Sequence, residues 1–242
     1  METSTYIAPA VRKMDQEIVM ARFFPIKLGN TSVSRVNGTN RETDLLKFRH
    51  HIFRERLHWV APSADGLDRD EYDDFSDNLA VQDSHGVVGS VRLTHGSHPF
   101  MIEREFSRLL ASGEKILKGE KAAEITRFAV DKHISPQQMR VVGRLLYLSL
   151  LEWSQLRGIE RMYFVVEPVF YRHIVRMGFP VVPVGVPMHL DGGVLSMAGY
   201  VDWPQAEPEF ILGLRKGIEA PKERVGAWRE FEAQYTSMPH LI

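Results

Sequence analysis

Residues 124–131 read Glu-Ile-Thr-Arg-Phe-Ala-Val-Asp, an alternating strand pattern with a glutamate and an arginine inside it. An ionised side chain in a sheet core is costly unless it is paired or takes part in chemistry. The segment therefore demands a fold that buries a carboxylate and a guanidinium on a rigid scaffold, which marks it as a candidate catalytic strand. Glu124 and Arg127 are three apart, so an ideal strand would send them to opposite faces. One site can use both only if a β-bulge lies between or beside them, and a bulge is expected here.

The remaining chain narrows the classes available. Its 242 residues suit one large domain or two small ones, and 44% hydrophobic with 25% charged content is that of a globular protein with a sizeable core. A net charge of -1 gives no basic field for nucleic acid. With no cysteines, disulfides, thiolate nucleophiles and thiolate metal sites are excluded, and a cytoplasmic location is expected. No apolar run approaches the ~20 residues that a membrane span needs. The ten histidines fall into no zinc-site spacing, and no metal is expected.

Residues 1–25 read as an N-terminal extension with a short helical stretch, and 29–42 as a polar loop. A helix is predicted over 43–57, then a long loop over 58–77 rich in Asp, Pro and Gly. Strands follow at 78–82 and 87–93 around a hairpin turn, then a short helix within 101–119 and the 124–130 strand. The clearest helix covers 137–157, stopped by Gly158. A buried strand at 161–166, a helix opened by Pro168, strands near 180–184 and 194–201, and a helical tail over 208–236 complete the chain. Hairpins first and a βαβ unit later predict a mixed sheet with helices on both faces.

From the 124–130 strand onward, this order of strand, long helix, strand and short helix resembles the GNAT acyltransferase fold. That resemblance implies a three-layer α-β-α protein with a mixed, centrally splayed sheet. The GNAT pyrophosphate signature corresponds to Arg140-Val141-Val142-Gly143-Arg144-Leu145, with Leu145 where a small residue is usual. Further motifs single out a branch. They are Arg49 with Phe53, Arg56-Leu57-His58-Trp59, Asp70-Glu71-Tyr72-Asp73, Gly89-Ser90-Val91-Arg92-Leu93, Pro99-Phe100-Met101-Ile102 with Phe106, and Thr126-Arg127-Phe128-Ala129-Val130-Asp131. In this order and spacing the chain resembles the acyl-homoserine-lactone synthase (autoinducer synthase) family over residues 26–203, with 204–242 a helical tail packed on the same domain.

The resemblance implies an acyltransferase for a quorum-sensing signal. An acyl group on acyl carrier protein passes to the amine of S-adenosylmethionine, a substrate rather than a cofactor. The lactone then closes and methylthioadenosine leaves. Glu124 is the expected general base, acting through a water. Asp70, Asp73, Arg92 and Arg127 complete the expected catalytic set, and Arg49, Asp70, Arg92, Glu124 and Arg127 are expected to form one ion-pair network ordering the 58–77 loop. Phe53 and Trp59, with the two aspartates, are placed around the sulfonium, and Arg49 or Arg127 on the substrate carboxylate. Phe106 and Thr126 join the substrate-binding set. Leu146, Met162, Phe164 and Val166 are the expected lining of the acyl tunnel, with Met197 a further candidate. Phe164 stands where the family's threonine goes with a 3-oxo chain, which argues for an unsubstituted acyl group or an altered pocket. Lys132, Arg140 and Arg144, with Lys115 and Lys118, are the expected contacts of an acidic carrier protein.

Two other readings remain open. Arg140-x-x-Gly143 fits an acyl- or aryl-coenzyme A-dependent N-acyltransferase. A family member that only binds is disfavoured by the intact set of motif residues.

Overall fold

The computed structural model describes residues 25–190, 193–219 and 224–236. The expected helical stretch within 1–25 lies outside them. Among the described residues nine strands join in one sheet. They are β1 (Ile26–Leu28), β2 (Thr31–Arg35), β3 (Ser76–Asp83), β4 (Gly86–His95), β5 (Ala122–Val130), β6 (Arg161–Val166), β7 (Val181–Pro183), β8 (Met188–His189) and β9 (Leu195–Asp202). The order is β1-β2-β3-β4-β5-β6-β9-β7, with β8 also on β9. Only β5 and β6 run parallel.

Helices cover both faces. On one lies α1 (Glu42–Arg49), which continues as a π-helical segment over His50–Arg56. On the other lies α3 (Pro136–Arg157), capped by the Ser135 hydroxyl, which accepts from the Gln138 N–H at 3.1 Å, and ended by Gly158 at a φ of 66°. Leu79, Val81, Val91, Leu93, Ala123 and Ile125 project toward α3 into the main core, while Ala80 packs with Leu45 of α1. Gly89 allows α3 its close approach: a Cβ there would stand 2.6 Å from Val142 Cγ1. The small helices α2 (Met101–Arg104) and α4 (Pro168–Arg176) follow β4 and β6. The tail forms α5 (Pro208–Arg215) and α6 (Val225–Thr236). Buried Glu152 of α3 holds that tail through Arg215 at 2.8 Å and Arg224 at 3.0 Å.

The predicted loop over 29–42 is in part wrong, because it contains β2. Thr31-Ser-Val-Ser-Arg has a single apolar residue, so its alternation is almost silent. Val33 is nonetheless fully buried in the main core.

Two irregularities in β5 create the functional region. Pairing with β6 runs only from Ala122↔Arg161 to Ile125↔Phe164, after which the parallel strands part. In pairing with β4, Ser90 opposes Ala129 while Arg92 opposes Thr126, so β5 carries an extra residue. Arg127 sits at that expected bulge with a φ of 51°, and its carbonyl accepts from the Ser90 hydroxyl at 2.8 Å. The bulge reverses the alternation. Before it Glu124 and Thr126 face α1, and after it Ala129 packs there against Ile52 and Phe53. Phe128 and Val130 turn toward α3.

Candidate active site

On the α1 face, Asn78, Arg92 and Thr126 stand opposite one another across β3, β4 and β5. Around this row four arginines and three aspartates form a lattice. Arg49 donates to Asp68 at 2.9 Å, to Asp73 at 2.7 Å and to Asn78 at 3.1 Å. Arg54 reaches Asp68 at 2.8 Å. Arg92 binds Asp70 and also Asp73 at 3.1 Å, and its Nε donates to the Thr126 hydroxyl at 2.9 Å. Arg127 donates to Asp68 at 2.7 Å and Asp70 at 3.0 Å. The same acids organise the loop locally: Asp70 and Asp73 make a capping box on the 3-10 turn Glu71–Phe75.

This arrangement fixes the charges. Burial raises the carboxyls of Asp68 and Asp73, but the arginines outweigh it. Arg127 and Arg49 hold Asp68, and Arg49 and Arg92 hold Asp73, well below the usual carboxylate range. Burial lowers the Arg49 guanidinium, yet Asp73 and Asp68 more than offset it and its pKa rises. Arg127 moves down, through burial and the neighbouring Arg92.

Glu124 does not join the lattice, contrary to expectation. Its two oxygens accept the backbone N–H groups of Met101 and Ile102, each at 2.7 Å. These donors open α2, and the Glu124 carboxylate accepts from both, which leaves it satisfied without a guanidinium partner. Burial pushes its pKa up to about 7, against the pull of those N–H groups and of Arg92. Met101 links the two sets, since Arg92 Nη2 lies 3.1 Å from its sulfur.

The opening between β5 and β6 holds a cavity of about 370 Å³. Thr126 and Arg127 of β5 stand in its wall, as do Phe164 and Val166 of β6. Phe53 and Trp59 line it too, with ring centroids 6.0 Å apart, and the Arg127 guanidinium lies 5.3 Å over Phe53. Trp59 is 47% exposed and forms the rim.

Several expected residues sit elsewhere. Leu146 and Met162 are sealed in the main core and do not line the cavity. Leu146 leans on the β4 side near Gly89, and the Met162 sulfur takes the Ser154 hydroxyl. Met197 is likewise buried off the cavity. Phe106 packs against a separate cluster with Phe100 and Ile102. Arg49 and Asp73 are buried and saturated within the lattice, Arg49 by Asp73, Asp68 and Asn78 and Asp73 by Arg49 and Arg92, which removes them from direct substrate contact. Arg144 is occupied by the carbonyls of Gly213, Leu214 and Lys216 at the end of α5, because it points across to the tail rather than outward. Lys132 and Arg140 are exposed near the start of α3. Lys118 pairs with Glu103 at 2.9 Å, and β5, about 30 Å of strand, separates it and the exposed Lys115 from Lys132.

Sequence reasoning missed Asp68, Arg54 and Tyr147, and gave Arg56 no role beyond its motif. Asp68 resembles any other acid of its loop, although it is fully buried and receives three arginines. Arg56 lines the cavity, and among the described residues no hydrogen-bond partner reaches its buried Nη1. Tyr147 of α3 lines the cavity, on a side of the helix that its sequence does not mark as functional.

A sheet opened between β5 and β6 and covered by helices on both faces defines a GNAT-like acyltransferase fold. The description "Autoinducer synthase" belongs to a family model that matches residues 34–207. Acyl-homoserine-lactone synthases of Rhizobium radiobacter and Agrobacterium fabrum are 30% and 31% identical to the chain. Their alignments cover 64% and 68% of the chain, and 75% and 80% of the relatives. Among solved structures, the coenzyme A-dependent acyl-homoserine lactone synthase BjaI, with SAM and isopentyl-CoA, superposes with a TM-score of 0.64 at 25% identity. That match covers 73% of this chain and 81% of BjaI. LasI gives a TM-score of 0.66 at 21% identity over 76% and 94% of the two chains, a likeness of fold. The chain belongs to the autoinducer synthase family, the acyltransferases that make acyl-homoserine lactones.

Proposed function

We propose that this chain acylates the amine of S-adenosylmethionine in the cytoplasm, from a thioester on acyl carrier protein, and then closes the lactone. The N–C bond forms as the thioester C–S bond breaks, and the thiol leaves on its carrier. The methionyl carboxylate then attacks its own γ-carbon, whose bond to the sulfonium breaks to release methylthioadenosine.

The observation that carries this reading is the pair of environments along β5. Arg127 and Thr126 stand in the cavity wall, while Glu124, with a pKa near 7, lies behind it on the same face as Thr126. Two strand residues span about 7 Å, too far for direct proton transfer and suited to one bridging water. Glu124 takes the amine proton by that route. Beyond Ile125 the edge of β5 that faces β6 has no strand partner, so its N–H groups are available for the oxyanion. Phe53 and Trp59 at the rim suit the sulfonium. Arg127 keeps Nη1 outside its aspartate bonds, so it holds the carboxylate. Asp70, Asp73, Arg92 and Arg49 position that machinery.

A carrier-protein donor is favoured by the start of α3. Arg140–Leu145 lies in the second and third turns of the helix, where amides are engaged in helical bonds. At the true start Pro136 has no N–H, Gln138 donates to the Ser135 hydroxyl, and Met139 donates to the Ser135 carbonyl at 2.8 Å. Few donors are left for a pyrophosphate. Exposed Lys132 and Arg140 suit an acidic carrier. Purified protein given S-adenosylmethionine with acyl carrier protein or coenzyme A thioesters tests this. Lactone and methylthioadenosine are expected from the carrier thioester. Formation only from the coenzyme A thioester refutes the donor, and none from any donor refutes the function.

A further inference from the structure

Tyr147 brings a phenol hydroxyl to a stretch of the cavity that is otherwise apolar. Its ring is fixed, stacked on Phe128 at 5.4 Å and 18°, and edge-on to Phe179 at 5.0 Å and 66°. The residue is 7% exposed, and the cavity is the space it borders. Among the described residues no hydrogen bond reaches its hydroxyl, although that atom is not sealed in the protein interior. The neighbouring wall residues Phe128, Leu150, Phe170 and Phe179 offer it no polar side-chain atom. Burial raises its pKa to about 12, so it stays a neutral hydroxyl at any working pH. The hydroxyl opens onto the cavity, so a wholly apolar molecule seated there would shut it off from water without a partner, a cost that phenylalanine would not incur. A bound molecule with a polar atom at this depth avoids that cost.

We infer that the acyl group this enzyme transfers carries an oxygen on its chain, a keto or hydroxyl group, and that the Tyr147 hydroxyl hydrogen-bonds to it. The inference rests on the synthase reading above. Phe164, across the cavity on β6, cannot make such a bond, and Tyr147 supplies it from the helix instead. A saturated chain in the same place leaves the phenol unpaired and is disfavoured.

The test compares wild type and Tyr147→Phe on saturated, 3-oxo and 3-hydroxy thioesters of matched length, from butanoyl to dodecanoyl, each with S-adenosylmethionine. In wild type, kcat/KM for the best oxygenated donor is expected to be roughly tenfold above its saturated counterpart. Tyr147→Phe should lower the oxygenated value about tenfold and leave the saturated one within about twofold. Titration calorimetry of the product lactones should show the same selective loss in Kd, read without turnover. A wild type that prefers saturated donors at every length overturns the inference. So does a variant that changes both donor types alike, or neither. Absence of lactone from every donor with wild type would instead sink the synthase reading, and this inference with it.

Discussion

Arg127 donates to Asp68 at 2.7 Å across 59 residues of sequence, and this bond ties β5 to the long loop before β3. The partners of Arg127 are the loop aspartates and not Glu124, which the expected network had included, and Arg127→Ala removes the bonds to both Asp68 and Asp70. Asp68 keeps Arg49 and Arg54, which limits the stability loss to about 3 kcal/mol, near the low end for a broken buried pair. For a chain of this size that is a fall of roughly 6–12 °C in Tm, with lactone synthesis lost. A variant that melts with wild type would contradict the assignment.

Glu124 sets a pH limb. The rate should rise with pH through about 7 as its carboxyl ionises, and Glu124→Gln should be nearly inactive at all pH values. Stability runs the other way. The folded value, about 7, lies above the ordinary 4.5, so the folded chain binds more protons between them. This contribution therefore declines as pH climbs from about 4.5 to 7 and is flat above. Rate profiles of wild type, alongside denaturant midpoints of both proteins, check the two signs. A wild-type rate flat across neutrality would remove Glu124 as the base.

Asp68 has its carboxyl depressed below the ordinary 3.8 by Arg127 and Arg49 despite burial. Its contribution is whole above about pH 3.8 and shrinks as pH falls below that. Asp68→Asn leaves three guanidinium groups short of a counter-charge and should cost about 3–5 kcal/mol near neutral pH. The deficit relative to wild type should narrow in acid. Urea midpoints from pH 3 to pH 7 measure it. A constant gap across that range would argue against an ionised Asp68.

Arg140→Glu and Lys132→Glu should raise KM for a carrier-protein thioester several-fold and leave KM for S-adenosylmethionine alone, with an effect that fades in salt. Arg144→Glu should instead lower Tm, because its guanidinium binds the carbonyls at the end of α5. Steady-state kinetics and melting curves separate the three. If Arg144→Glu changed carrier KM without changing Tm, its structural placement would be wrong.

Much of the site was legible because charged residues inside apolar patterns announce themselves. Glu124 and Arg127 stood out within an alternating strand, and their spacing alone required the bulge found opposite Ser90 and Arg92. The long helix, its Gly158 stop and the strand Arg161–Val166 follow from periodicity and capping chemistry, which are local. What stayed hidden depends on distant partners. β2 is legible only once Val33 lies under α3, and Arg144 looked free until the tail returned to it.

The sequence by itself determined the secondary structure that bears the site, the need for a kinked strand and the identity of most charged residues, because these depend on neighbours a few positions away. Only the tertiary structure decided which charges pair. It gave Arg127 to Asp68, Glu124 to the amides of Met101 and Ile102, and Tyr147 to the cavity. Hydrogen bonds and desolvation act over a few ångströms in space, and no local pattern records which remote groups the folded chain brings within that range.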